Sequence, residues 1–310
     1  MPASPLVIGL GHVTCDITVP LQGWPERDQK TIIPGITLSG GGPTANAMAA
    51  LARLGVRAGL VGKLGTDLLG RYAVEAHAAE GIDLSRLVVS GETVSPVSVI
   101  LVDQAERTRT ILLTKGEHTT LDPGELDLDY FSSARVIHLD GHQMPASLAV
   151  ARAAQQWPAT TVVLDAGGMR EGMLELCRLC DVVIASTRFA RELAASDDPL
   201  DGLHALLDLG VRCAGVTLGP QGSVLSRGGV TIRMPAFSVP VADTTGAGDA
   251  FHGGFIYALV NGMDDASCLR HASAVAAIKC TGLGTRQALP DAAHLARFLG
   301  KHDLLAAEIE

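Results

Sequence analysis

Between residues 135 and 218 the chain alternates short β-branched runs with helical stretches, an order that few architectures accommodate. Val136-Ile-His-Leu-Asp140, Thr161-Val-Val-Leu-Asp165, Asp181-Val-Val-Ile-Ala185 and Cys213-Ala-Gly-Val-Thr-Leu218 read as strands. Helices are expected over 146–156, 171–178, 189–195 and 201–209, and Leu6-Val-Ile-Gly-Leu-Gly11 reads as a first buried strand. Apolar strands joined through helices predict an α/β fold with a mostly parallel sheet covered on both faces. Ligands then sit beyond the strand C-termini, where Asp140-Gly-His142, Asp165-Ala-Gly-Gly, Ser186 and Gly219 fall. A chain of 310 residues can bury this core as one large domain or two smaller ones.

The densest chemistry lies in Asp243-Thr-Thr-Gly-Ala-Gly-Asp249-Ala-Phe-His-Gly-Gly-Phe-Ile-Tyr-Ala-Leu259. Phe251, Phe255 and Leu259 recur every four residues, one face of a helix. Gly246, Ala247 and Gly248 then occupy its first turn, where unpaired N–H groups and the dipole favour an anion. A carboxylate at Asp249 would repel a resting phosphate. It suits a general base that takes a proton from a hydroxyl attacking phosphorus. The alternative is an acid that merely complements the helix dipole.

Other nucleotide devices fail on inspection. Gly9-Leu-Gly11 lacks the third glycine of a dinucleotide fingerprint, since position 14 is Thr; Gly62-Lys63 is followed by Leu64, not the Ser or Thr of a P-loop. A formal charge of -9 and the lack of a basic run argue against nucleic acid. The N-terminal Met-Pro-Ala-Ser-Pro has no secretory character, and no apolar run is long enough to span a bilayer. Cys177-Arg-Leu-Cys180 has no second pair and no histidines at ligand spacing, so it reads as two reduced, buried thiols, which fits the cytoplasm, ahead of a zinc or redox site.

Asp16 interrupts the apolar alternation of Val13-Thr-Cys-Asp16-Ile-Thr-Val19, either as a strand-edge acid or as an acceptor for sugar hydroxyls. Thr31 to Ser39 alternates as a strand would and leads through Gly40, Gly41 and Gly42 into a helix with Asn46 in its first turn. Val97–Asp103 and Thr108–Leu113 flank a polar turn and read as a hairpin. With strands near 16–20 and 31–38 it would form a small sheet outside the main α/β order.

The 243–259 run and Gly40-Gly-Gly-Pro-Thr-Ala-Asn46-Ala-Met-Ala-Ala-Leu-Ala-Arg-Leu-Gly55 resemble the two signatures of the ribokinase-like (PfkB) carbohydrate kinases, in the expected order. The resemblance covers nearly the whole chain. It implies one three-layer kinase domain over 1–310 with a β lid from about 13–38 and 96–114, ATP carrying Mg2+, and a homodimer formed through the lid. It also implies Asp249 as the base, the 246–248 amides as stabilisers of the phosphoryl charge, and Asp16, Gly41, Gly42 and Asn46 on the sugar. Arg109 resembles an arginine that reaches the transferred phosphate, and otherwise is an exposed strand residue. Asp28, in Pro25-Glu-Arg-Asp28, resembles a second sugar-binding acid of ketohexokinases. Thr217, Gly219 and Gly222, with Ser186, match the nucleotide loop. Asp243, Thr245 and Gly284 match residues that enclose a monovalent cation such as K+, and nearby Lys279 would repel or replace that ion. Two departures stand out: Pro43 replaces an Asn common in ketohexokinases, and Ser186-Thr-Arg-Phe189 replaces an Asn-x-x-Glu associated with magnesium and phosphate. Ile137-His-Leu-Asp-Gly-His142 and Lys279-Cys-Thr resemble the ketohexokinase and sulfofructose-kinase branches, which implies a ketohexose-like furanose. The rivals are a nucleoside kinase, which wants aromatic platforms where this chain is only 4% aromatic, and a non-catalytic sugar-binding regulator.

Overall fold

The computed structural model describes residues 6–302 and 308–309. The chain opens with β1 (Val7–Leu10), β2 (Thr14–Leu21), β3 (Thr37–Gly41), α1 (Pro43–Arg53), β4 (Ala58–Val61), β5 (Lys63–Gly65), α2 (Leu68–Ala79) and β6 (Val88–Ser90). Then come β7 (Val97–Asp103), β8 (Thr108–Thr114), α3 (Leu128–Ser132), β9 (Val136–Leu139), α4 (Met144–Ala154), β10 (Thr161–Ala166) and α5 (Met173–Leu179). The last part holds β11 (Val182–Ser186), α6 (Thr187–Ala194), α7 (Pro199–Asp208), β12 (Cys213–Thr217), β13 (Ser223–Arg227), β14 (Val230–Met234), α8 (Ala247–Val260), α9 (Asp265–Cys280), α10 (Ala292–Lys301) and β15 (Glu308–Ile309). The expectation of no secretory segment concerns residues 1–5, outside the described residues.

Nine strands form the main sheet in the order β15-β14-β13-β12-β11-β10-β9-β1-β4. The run from β12 to β4 is parallel, and β13, β14 and β15 add antiparallel. The parallel strands are largely buried on both faces, so successive residues feed different cores. Val7, Val136 and Val163 pack with α1, α8 and α9, whereas Ile8, Ile137 and Leu164 pack with α4, α5 and α6. Cys177 and Cys180 lie in this second core, where burial pushes the Cys177 thiol up to about 12 and that of Cys180 well above its ordinary value.

Four strands form a separate sheet, β3-β2-β7-β8, as the hairpin reading anticipates. Its third strand is corrected: the strand is Thr37–Gly41, not 31–38. Pro34 removes a ladder donor and Gly35 has no side chain to pack, so residues 31–36 run as exposed coil despite their alternation.

Helix α8 is buried beyond the single face that the four-residue spacing suggests. Phe251, Phe255, Ile256 and Ala258 are all core, and α1 and α9 pack on two of its sides. The Gly253-Gly254 pair explains how. A Cβ on Gly253 would meet the Cβ of Ala50 at 2.7 Å, and one on Gly254 would meet the His271 carbonyl at 2.8 Å. The two glycines let the helix that carries Asp249 be clamped from both sides. Burying Phe255 alone contributes about 1.5–3 kcal/mol to that clamp.

Candidate active site

The site begins at the N-terminus of α8. Gly246 is the N-cap with φ 75°, a left-handed conformation that glycine adopts without strain. Among the described residues, the amides of Gly246 and Gly248 meet no protein acceptor, while that of Ala247 donates to the Thr244 carbonyl at 3.1 Å. The cradle therefore offers two of the three amides expected. Asp249 stands in the first turn beside it.

Burial and the nearby Asp165 carboxylate push Asp249 up to about 7. Asn46 opposes that rise by donating from Nδ2 to Asp249 Oδ2 at 2.8 Å. The orientation of the Asn46 amide is set from behind: Arg286 Nε donates to its Oδ1 at 2.7 Å, so its NH2 group must face Asp249. Arg286 also lies 3.1 Å from His77 Nδ1, and burial brings its guanidinium down to about 10. Arg286 and His77 carry no sequence signal for this role, because Asn46 is 240 residues from Arg286 and His77 sits in the last turn of α2, far from both along the chain. A carboxyl that titrates near 7 and is held by a fixed amide is matched to general-base work.

Asp16, Gly41 and Gly42 lie at the small sheet. Asp16 is no edge residue: it pairs with Ser39 of β3 on one side and Ser98 of β7 on the other. Burial pushes its carboxyl above the usual range, against hydrogen bonds from Thr14, at 2.8 Å, and Ser98. Gly41 makes room for that carboxylate, since a Cβ there would lie 2.0 Å from Asp16 Oδ1. Gly42, with φ 104°, passes equally close to the His12 carbonyl. Arg109 reaches from β8 to Thr244 Oγ1 at 2.8 Å, which brings the small sheet over the start of α8. Asp28 is exposed with φ 57°, and among the described residues no hydrogen bond joins it to Asp16, Asn46 or Asp249.

Behind the cradle, Asp165 at the end of β10 lies 3.4 Å from His252 Nε2 of α8. Burial works against the Asp165 charge, but His252, together with His138 and His142, holds that carboxyl below its ordinary value. Ser186 and Thr217, expected at a nucleotide, are register partners at the ends of β11 and β12. The Ser186 hydroxyl caps α6 by accepting from the Phe189 amide at 3.1 Å and donates to the Gly167 carbonyl. Phe189, standing where the family's glutamate would, is fully buried in the second core. Gly219 opens onto free space, whereas a Cβ on Gly222 would strike the Met234 carbonyl at 2.0 Å, so Gly222 serves the turn itself.

The loop before the cradle is tied to the turn after α9. Asp243 Oδ1 accepts from the amide and hydroxyl of Thr245 at 2.8 and 2.6 Å, and its Oδ2 accepts from the Gly284 amide at 2.8 Å. Lys279, fully buried in the last turn of α9, donates from Nζ to the Asp243 carbonyl at 2.7 Å.

A family model described as pfkB family carbohydrate kinase matches residues 6–292. An ATP-dependent ribose-1-phosphate kinase of Halopiger xanaduensis is 34% identical over 95% of this chain and 98% of its own. An aminoimidazole riboside kinase of Salmonella typhimurium is 29% identical over 86% of this chain and 90% of its own. The solved structure of Arabidopsis thaliana ribokinase complexed with ribose and ATP superposes with a TM-score of 0.83, at 25% identity, over 96% of this chain and 99% of the other. The matched stretch, residues 6–292, includes the main sheet from β1 to β14, α8 with Asp249 in its first turn, and the small sheet β3-β2-β7-β8. This chain belongs to the pfkB family of carbohydrate kinases, the ribokinase-like fold.

Proposed function

We propose that this ATP-dependent carbohydrate kinase phosphorylates the primary hydroxyl of a ribofuranose. The observation that carries the reading is Asp249, titrating near 7 in the first turn of α8, next to two unpaired amides and oriented by Asn46. ATP with Mg2+ supplies the phosphoryl group and its charge compensation. The chain's own groups do the rest. Asp16 and the free Asn46 Nδ2 hydrogen hold ring hydroxyls. Asp249 takes the proton as the hydroxyl oxygen attacks the terminal phosphorus and ADP departs. The Gly246 and Gly248 amides and Arg109 face the charge that develops. Ser186, Thr217 and Gly219 are assigned to the nucleotide.

The ring is chosen on the relatives' names. The 34% identical relative acts on ribose 1-phosphate, which favours a ribofuranose, already phosphorylated at C1, over the ketohexose that the branch resemblance suggests. Six buried, unpaired cysteines support a cytoplasmic enzyme, and no helix among the described residues is long and apolar enough to cross a membrane. Strand β8 is exposed throughout and forms a free edge bearing Ile111, Leu112 and Leu113, which supports a homodimer through the lid.

ADP release is to be measured with ribose 1-phosphate, ribose, fructose and adenosine as separate acceptors. The proposal expects the ribose compounds to give the highest kcat/KM. Fructose ahead of them would overturn the choice of ring. Adenosine ahead would make the chain a nucleoside kinase, and no ADP release with any acceptor would leave only a sugar-binding regulator.

A further inference from the structure

We infer that the Lys279 ammonium takes the place of the monovalent cation that relatives hold beside the phosphate cradle, so that this enzyme needs no K+. The residues that would enclose such an ion are drawn together here, but they do not fit one. A cation site is built from oxygens with lone pairs turned inward. The Asp243 carbonyl instead accepts from Lys279 Nζ at 2.7 Å. Both Asp243 carboxylate oxygens already accept hydrogen bonds, Oδ1 from the Thr245 amide and hydroxyl and Oδ2 from the Gly284 amide. A second cation would have to displace a buried ammonium and sit next to it.

Lys279 is well placed for the role it takes over. It lies in the last turn of α9, where the helix's negative end favours a positive charge. Its chain is covered completely, and the Asp243 carboxylate supports the charge against the cost of burial. The carbonyl it grips belongs to the loop that runs through Thr244 and Thr245 into Gly246, the N-cap of α8. An ion in relatives would pin that loop from outside the chain. Here the pin is a hydrogen bond from a side chain of the protein itself, delivered by α9 and present at any salt composition. The Cys280 carbonyl adds to it by accepting from the Ala242 and Asp243 amides at 2.9 and 3.3 Å.

The test replaces about 100 mM KCl with choline chloride at equal ionic strength. It has a melting arm that needs no substrate and a kinetic arm with whichever acceptor the ADP-release screen returns. The inference rests on kinase activity but not on the identity of the sugar, and the melting arm separates the two. Wild type should show the same melting temperature and the same kcat in both salts. Lys279→Ala should melt lower in choline and be raised by several degrees in K+, because an ion that binds only the folded state stabilises it. Its kcat should fall by about 10²-fold in choline, the scale of a small misplacement of the cradle, and recover in K+ but not in Li+. A wild-type kcat that rises about threefold or more on adding K+, beyond what screening of surface charge explains, would overturn the inference. So would a folded Lys279→Ala enzyme that works equally well in both salts. If Lys279→Ala does not fold, the wild-type comparison still decides.

Discussion

Replacing Asp249 by Asn should remove activity and stabilise the protein at once, and the two effects have one origin. The carboxyl moves from 3.8 to about 7 on folding, chiefly through burial and then through Asp165. A raised carboxyl pKa makes a contribution that is present below about pH 4 and lost as pH rises through about 7. Above that, the wild type carries a charge that the unfolded chain would hold more comfortably. A rise of about three in pKa, at about 1.4 kcal/mol each, puts the cost near 4 kcal/mol as a ceiling. Asn keeps the shape, and its oxygen still accepts from Asn46 Nδ2, now 2.8 Å from the carboxylate. Asp249→Asn should therefore melt several degrees higher than wild type at about pH 8, with an advantage that shrinks by about 2–3 kcal/mol toward pH 5. Its kcat should fall about 10²–10⁴-fold, and wild-type kcat/KM should fall as pH drops below about 7. Melting curves across pH, set beside ADP release under saturating substrates, check both halves. A variant less stable than wild type at about pH 8 would refute the buried-charge argument. One that kept more than roughly a tenth of kcat would refute the base.

Arg286→Lys keeps a charge but loses the planar donor on Asn46 Oδ1, so kcat should drop about 10–100-fold while the melting temperature moves little; an unchanged kcat would detach Arg286 from the base. Gly253→Val forces a Cβ against Ala50 and should cost about 1–3 kcal/mol in denaturant unfolding, with a lowered midpoint as the readout. Leu112→Lys places a charge on the free edge of the lid, and sedimentation should show a dimeric wild type and a monomeric variant; a monomeric wild type would sink the lid dimer.

Much of this was legible along the chain because its signals are local. The helix after Gly246 shows in a glycine pair followed by a four-residue apolar period, and the parallel sheet shows in β-branched runs set between helices. Residues 31–36 mislead for the same reason: alternation reads alike in a strand and in an exposed loop, and only the Pro34-Gly35 break argues for the loop. Asp28 shares the acidity of a sugar ligand, but its loop leaves it exposed at φ 57°. The orienting groups were not legible at all. Arg286 meets Asn46 across 240 residues and His77 across 209, contacts that no window of sequence contains.

One short turn ties the two halves of the site together. Residues 279–286 send Lys279 and the Gly284 amide to Asp243, ahead of the phosphate cradle, and Arg286 to Asn46, behind the base. Arg53 of α1 closes the circuit by donating to the Arg286 carbonyl at 2.7 Å while pairing with Glu80 of the segment after α2. The proposed base, Asp249, and the proposed anion cradle both sit at the start of α8, yet neither is oriented by α8 alone. Each is referenced to the end of α9, which packs along α8 more extensively than any other helix. A general base and the amides that hold the phosphoryl group must be registered to each other within a fraction of an ångström for in-line transfer. Anchoring both to one turn achieves that with a single rigid element. It also accounts for the burial of two cations, Lys279 and Arg286, within eight residues: each is fully covered because each reaches inward to a polar group of the site rather than outward to water.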